Sequence, residues 1–204
     1  MGGGGISSTI QVLVNAGKSN TVTVKDKDGK YYTITYSADS VYPNDFFRIS
    51  NGANYHYDTN KYNLENHWSS YFDFPHWWQV DLGRTIYGVH KFIFNPIEEN
   101  DVCVKDYELS YSLDGINFHK IYSGTYIPDH IIGITSANYK VWQDEKCEFT
   151  PVNLRYFRIT ILNNYDRNHT RNYFAEFNNA RLYCIKEFLC LDKNNYIHGC
   201  KNIT

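Results

Sequence analysis

The 204-residue sequence lacks the features that mark several large classes of protein. Its net charge is −2, so it has no excess of basic residues that would favour nucleic acid as a partner. No apolar run approaches the roughly 18 residues needed to span a bilayer. Residues 1–5 are a start methionine and a glycine run without the apolar region of a signal peptide, and they are typical of a flexible linker.

Catalytic signatures are missing as well. The chain contains no G-x-S-x-G, no H-E-x-x-H and no phosphate-binding P-loop. Ser, His and Asp are plentiful, so counting residues leaves a catalytic triad open as the contrasting hypothesis. Asp81 could act as a base, but we expect it to cap the turn after Leu82. We therefore predict a protein that is not an enzyme.

The five cysteines include no C-x-x-C pair, which argues against a zinc knuckle. Because five is odd, at least one thiol has no partner within the chain. We predict at least one disulfide among Cys103, Cys147 and Cys184. Two sequons, at Asn168 and Asn202, would permit N-glycosylation. Together these features favour an oxidising compartment, and thus a secreted or cell-surface glycoprotein.

Aromatic and β-branched residues are what the sequence has in quantity, with 19 Tyr, 12 Phe and 4 Trp. Such residues fit the half-buried surfaces of β-sheets. Polar and apolar residues alternate in several segments, and no long segment has the 3.6-residue period of an amphipathic helix. The alternating segments lie at 21–24, 32–36, 107–111 and 157–161. The prediction is an all-β sandwich or barrel.

The chain divides into three parts by pattern. Residues 1–36 form an N-terminal extension with a predicted β-hairpin, whose turn is at Asp28-Gly29. Residues 37–184 form the main domain, and it includes a long polar stretch, 51–76, rich in Tyr, His and Trp. A structureless loop of this length is usually functional. Residues 185–204 are polar and Asn-rich, and we interpret them as a tail or the start of a further module.

Four segments of the main domain resemble the discoidin family, also called coagulation factor five/eight C-type domains. Residues 77–83, WWQVDLG, are similar to the family's W-x-Q-V-D-L-G strand. Residues 104–118 resemble its V-x-x-Y-x-x-x-x-S-x-D-G-x-x-W signature, with Phe118 in place of the Trp. Residues 154–159, LRYFRI, resemble the A-R-Y-I-R-I strand, and 174–184 resemble the closing strand. The four segments follow the family's order and spacing over about three quarters of the chain.

The resemblance implies an eight-stranded antiparallel jelly-roll β-sandwich, to which the N-terminal hairpin is an addition. It also implies a non-catalytic recognition or adhesion module that is part of a larger multidomain protein. Family ligands include glycans, phospholipid headgroups and proteins, and the fold does not choose among them. We expect a cell-surface glycan as the ligand, with a membrane lipid headgroup or a cell-surface protein as the alternatives.

The candidate ligand-binding residues are aromatic and histidine side chains before and at the first motif, because rings with polar handles suit sugar stacking. They are Tyr55, His56, Tyr57, His67, Tyr71, Phe72, His76 and Trp77. We assign Trp68 and Trp78 to the core. The opposite reading, that the loop aromatics merely pack the loop onto the sandwich, stays open for the three tyrosines.

The resemblance also implies a possible Ca²⁺ ion, which the family's glycan-binding branch holds with a D-G turn and a late Glu. The matching positions are Asn51, next to Gly52, and Glu176. Asn supplies a neutral oxygen where Asp would supply a charged one, so we expect a weaker site. In galactose-binding members an Arg follows the strand that corresponds to residues 87–94. Here Asn95-Pro96-Ile97 follows, which argues against galactose binding of that kind.

Overall fold

The computed structural model describes residues 10–12, 19–25, 29–43, 48–53, 67–96, 103–127, 144–165, 174–184, 189–191 and 197–199. In these ranges the only helix is a 3-10 turn of five residues. It has neither the length nor the apolar content needed to cross a bilayer. The elements in chain order are β1 (Ile10–Val12), β2 (Thr21–Lys25), β3 (Tyr31–Ala38), η1 (Ile49–Ala53), β4 (Trp68–Ser69), β5 (His76–Pro96), β6 (Asp106–Ser112), β7 (His119–Thr125), β8 (Glu145–Ile161), β9 (Glu176–Cys184), β10 (Leu189–Leu191) and β11 (Ile197–Gly199).

The predicted hairpin is confirmed as β2 and β3, which pair antiparallel around Gly29. Gly29 has a φ of +81°, the left-handed conformation that glycine adopts without strain. The strand β3 also pairs with β5, from Thr35 opposite Asp81 to Ala38 opposite Trp78. The boundary predicted after residue 36 therefore falls inside a strand that belongs to the sandwich.

Two long strands build both layers of the sandwich. The first part of β5 pairs with β3 and with the end of β8, whereas its last part pairs with β9 and with the start of β8. Between the two parts the register shifts three times, from Asp81 to Lys91, and Gly83 and Gly88 both have positive φ. Such irregularities bend a strand. Both strands therefore fold over and enter the second layer.

The core lies between these layers and is largely aromatic. Phe92 packs on Phe157 with ring centroids 4.6 Å apart, and Trp78 meets Phe177 edge-on at 5.5 Å. The period-two prediction for the last part of β8 is confirmed, since Phe157, Ile159 and Ile161 are all fully buried. All pairings between the named strands are antiparallel, so the predicted all-β antiparallel sandwich is confirmed.

This path brings four connections to one end of the sandwich, which we call the loop end. The strands β3, β5, β7 and β8 end there, and β5, β6, β8 and β9 begin there. The pairings show this, since His76 lies opposite Ile161, Asp106 opposite Thr125 and Pro96 opposite Phe177. The connections are 39–75, 97–105, 126–144 and 162–175. The opposite end carries the hairpin turns and the bends of β5 and β8. Chain direction therefore brings the described ends of all four connections to one end of the sandwich.

The described residues show no disulfide among Cys103, Cys147 and Cys184, so the predicted one is not found, and all three side chains are buried. Cys147 pairs with Phe92 on one side of β5, whereas Cys184 pairs with Val89 on the other. Two strand spacings, about 10 Å, separate them, and a disulfide requires Cα atoms within about 7 Å. The backbone of Cys103 forms an isolated β-bridge with Glu176, which lies at the opposite end of β9 from Cys184. Burial raises the pKa of the Cys147 thiol to about 12.

Candidate functional site

An exposed aromatic ring stands at the loop end on a base of other rings. Phe72 is 67% exposed and lies in a tight loop, residues 71–74, which we call the tip. Its ring centroid is 4.7 Å from that of Tyr71, and Tyr71 in turn meets Tyr42 edge-on at 5.5 Å. Phe174 completes the base, 5.2 Å from Tyr42. The tip thus holds one ring towards solvent and supports it from below.

The backbone of the tip is held in an unfavourable conformation. Phe72 has a φ of +86°, which costs a residue with a side chain on the order of 1–3 kcal/mol. Two contacts hold it: the Tyr71 N–H donates to Ser40 Oγ at 3.0 Å, and the Phe72 carbonyl lies 2.8 Å from His76 Nε2. Strain of this kind is concentrated at ligand-binding and switch regions.

His76 and His67 were predicted to contact the ligand, and the structure places both side chains beneath the surface. His76 has no exposed area and lies between Asp39 and the tip. His67 is buried next to Trp68, with its Nε2 3.5 Å from Glu176 Oε2. In this conformation the two histidines support the loop end from within.

Trp77 lies on the outer face of β5, one residue from the loop end. The guanidinium of Arg158 stacks on its ring at 4.8 Å and on the ring of Phe118 at 3.8 Å. Both Nε and Nη2 of this arginine donate to Gln79 Oε1. Arg158 therefore covers one face of the indole, and a ligand could stack only on the other face. Tyr55, His56 and Tyr57 lie outside the described residues.

The two predicted calcium ligands lie in neighbouring elements. The helix η1, with Asn51, packs against β9, whose first residue is Glu176, and both side chains are buried. Glu176 Oε1 accepts a hydrogen bond from Ser69 Oγ at 2.8 Å. Glu176 Oε2 is buried and has no hydrogen-bond partner among the described residues. Among all residues that the structure describes, no three His, Cys, Asp or Glu side chains form a cluster suited to a metal.

Structural roles account for the two carboxylates of the sequence motifs. Asp81 Oδ1 accepts the Gly83 N–H at 2.8 Å, as expected for a turn cap, and the carboxylate binds Arg155 through Nε and Nη2. Asp114 accepts the N–H groups of Asn117 and Ile116 in the β6–β7 turn. These hydrogen bonds, led by that of Asn117, hold the pKa of Asp114 well below its usual range.

Exposed apolar side chains from other connections lie at the same end of the sandwich as the tip, and the sequence analysis did not predict them. Ile127 is 76% exposed just after β7, and Leu162 and Val41 follow the ends of β8 and β3. Each is a single apolar residue after a strand, so no periodic pattern distinguishes it in the sequence. Only the chain path brings these residues to one end.

The sequence model of the F5/8 type C domain matches residues 37–177. The chain belongs to this family. The match includes β4 to β8 and all four connections of the loop end, and it confirms the resemblance found in the motifs. A search of curated proteins found no match to this chain in sequence.

Solved structures with the same fold are distant in sequence. CpGH89CBM32-5 from Clostridium perfringens, in complex with GalNAc-β-1,3-galactose, is 17% identical with a TM-score of 0.55, over 73% of this chain and 94% of that one. CBM32-3 from a family 31 glycoside hydrolase of Clostridium perfringens is 22% identical with a TM-score of 0.54, over 72% and 88%. A fucolectin from striped bass serum is 13% identical with a TM-score of 0.52, over 76% and 47%. These similarities show the shared fold.

Proposed function

We propose that this F5/8 type C domain is a non-catalytic recognition module that binds a cell-surface glycan at its loop end. The observation that carries the proposal is the exposed ring of Phe72, supported by Tyr71, Tyr42 and Phe174 where four connections meet. An exposed ring on a rigid base offers a pyranose an apolar face at little cost in entropy. The sugar-binding modules that share the fold support the same conclusion.

The proposed contact surface consists of the tip, and we propose that residues from 54–66, between η1 and β4, contribute to it. Phe72 and Tyr71 would supply ring contacts, together with Tyr55 and Tyr57 of that segment, and His56 would orient the sugar. The buried His67 and His76 would support this surface from within and would not touch the ligand. A shallow site buries few ligand atoms, so we expect dissociation constants in the micromolar to millimolar range. Several such modules in one extracellular protein would strengthen binding through multivalency.

Calcium is a second proposal for the same end of the domain. The buried Glu176 Oε2, which lacks a hydrogen-bond partner among the described residues, is the type of oxygen that Ca²⁺ prefers. Glu176 and Asn51 would hold the ion, which would link η1 to the start of β9. The nearby His67 supplies a nitrogen, which calcium does not favour, so we expect weak affinity.

A phospholipid surface is the second candidate ligand, and one observation favours it. Phe72, Ile127 and Leu162 are exposed apolar residues at one end, as in a surface that inserts into a bilayer. Anionic lipid attracts a surface with excess positive charge. The charges nearby do not supply one, because Asp73 and Asp106 offset Lys105. Adhesion to a protein is the third candidate, and it would use the same exposed residues.

A glycan array with matched variants tests the proposal. We expect the wild type to bind a subset of glycans and Phe72→Ala to bind them about tenfold more weakly, because one aromatic contact is lost. Tyr87→Ala is the control, since Tyr87 is also an exposed aromatic, 53% exposed, but lies on β5 away from the loop end. Equal losses in both variants would contradict the site.

Liposome flotation separates the candidates. If the wild type floats with vesicles containing phosphatidylserine, and binds no glycan, the lipid reading replaces the glycan reading. If it does neither, protein adhesion becomes the better hypothesis.

A further inference from the structure

The buried His76 side chain faces a hydrogen-bond acceptor on each side of its ring. Its Nδ1 lies 2.7 Å from Asp39 Oδ2, and its Nε2 lies 2.8 Å from the Phe72 carbonyl oxygen. A neutral imidazole has one N–H and can donate only once. Two acceptors at these distances require a proton on both nitrogens, unless one of the acceptors is itself protonated.

The Asp39 carboxylate is the ionised partner in this arrangement. It accepts the Trp77 N–H at 2.8 Å and the Ser40 hydroxyl at 3.2 Å, both of which favour the charged form. Burial alone would raise the pKa of Asp39, but the bonds from His76, Trp77 and Ser40 outweigh it and lower the pKa. The Phe72 carbonyl can only accept. Both ring nitrogens must therefore donate, and His76 is an imidazolium.

The bond to Phe72 acts on the one residue of the tip with a strained backbone. Phe72 has a φ of +86°, and a second hydrogen bond of the tip backbone joins the Tyr71 N–H to Ser40 Oγ. Without the donor on Nε2, the Phe72 carbonyl loses its partner at the point where the chain is least favourable. The exposed ring of Phe72 would then lose its fixed position above Tyr71.

We propose that His76 is the positioning residue of the tip: as an imidazolium between Asp39 and the Phe72 carbonyl it fixes the exposed ring of Phe72, and it releases the tip on losing its proton. The groups that face His76 are the Asp39 carboxylate and the Ser40 hydroxyl after β3, and the Phe72 carbonyl and the Phe74 ring of the tip. On β8 its pairing partner is the apolar Ile161, and Asp73, the charged residue of the tip, is exposed. Only the consequence for ligand binding rests on the proposed function.

Two measurements test the proposal without any ligand. The first is the NMR chemical shifts of the His76 ring nitrogens in the intact protein at pH 7, where an ordinary histidine is mostly neutral. We expect both nitrogens of His76 to be protonated in the wild type and one to be protonated in Asp39→Asn. A neutral His76 in the wild type would overturn the proposal, whatever the domain binds.

The second measurement is the rate of chymotrypsin cleavage after Tyr71 and Phe72, mapped by mass spectrometry and normalised to a peptide substrate at each pH. Losing a hydrogen bond to a charged group should speed cleavage by about tenfold or more in His76→Gln and Asp39→Asn at pH 7. The wild-type rate should rise with pH, whereas that of His76→Gln should not. His119→Gln, in a histidine at the other end of the domain, should behave as the wild type.

Unchanged cleavage in both variants, or a pH response that persists in His76→Gln, would overturn the role of His76. Should one variant fail to fold, the other variant and the wild-type NMR measurement still decide. If the tip is released as expected and the glycan array finds no ligand, the proposed function fails and the positioning role stands.

Discussion

A buried charge requires a partner of opposite sign, and two charged side chains of β9, Arg181 and Glu176, are buried in different surroundings. Arg181 is neutralised by Asp144, and its Nε also donates to the Asn179 carbonyl at 3.1 Å. Glu176 has the Ser69 hydroxyl on one oxygen and His67 at 3.5 Å from the other. His67 neutralises Glu176 only when protonated, so the carboxylate is the residue on which a bound cation would have most effect.

We therefore predict that Ca²⁺ stabilises the domain through Glu176. An ion that binds only the native state adds about 1.4 kcal/mol at ten times its dissociation constant, which raises Tm by about 3–5 °C in a domain of this size. Thermal unfolding with and without Ca²⁺ measures the shift. In Glu176→Gln the shift should vanish, and Mg²⁺ should have a smaller effect on the wild type. An equal shift in the variant would place any calcium elsewhere.

The strand β5 is the element on which the fold depends most, because it serves both layers. Its bend begins at Gly83, where φ is +70° and an added Cβ would lie 2.4 Å from the Thr33 carbonyl oxygen. The carboxylate of Asp81 fixes the same point by accepting the Gly83 N–H and binding Arg155 on β8. Glycine is needed here for close approach as well as for its conformation.

Replacing Gly83 with Ala should destabilise the domain by about 2–4 kcal/mol, because left-handed strain adds to a backbone collision. Gly29→Ala is a matched control. Gly29 has a φ of +81°, but its Cβ would meet only the Lys25 side chain at 3.5 Å, so we expect about 1 kcal/mol from strain alone. Urea unfolding measures both. Equal losses would show that conformation, and not contact with Thr33, sets the requirement for glycine.

Local patterns predicted the elements of this fold better than the lengths and neighbours of its strands. Alternation located β2, β3 and β6, and the motif around Asp81 located the turn cap. The resemblance treated residues 77–83 and 87–94 as two strands, whereas the structure joins them in β5, because the bend between Asp81 and Lys91 shifts the register without ending the pairing. The positions of His76 and His67 could not be predicted, since burial under a loop is decided by contacts distant in the sequence, such as that with Asp39.

At the scale of the whole molecule, the domain separates rigidity from recognition. The two bent strands and their aromatic core form one continuous frame, and the loop end is attached to it through short contacts such as those of His76 and Ser40. The opposite end has an exposed apolar side chain too, Ile116, but it belongs to a tight turn fixed by Asp114. The longer connections at the loop end, together with the exposed ring of Phe72, support the ligand site proposed there.

The frame also determines the chemistry of the cysteines, and this gives a test of its integrity. Cys103, Cys147 and Cys184 lie in different parts of the core, all at most 1% exposed, and the pKa of Cys147 is raised by burial to about 12. For Cys147, neither a thiolate nor access for a reagent is present in the native state. We predict that iodoacetamide, without reductant, leaves Cys147 unmodified in the native protein and alkylates it in guanidinium chloride. Peptide mapping of both samples measures this. A peptide that links Cys147 to Cys184 by a disulfide would contradict the strand register, because the register keeps these two residues on opposite sides of β5.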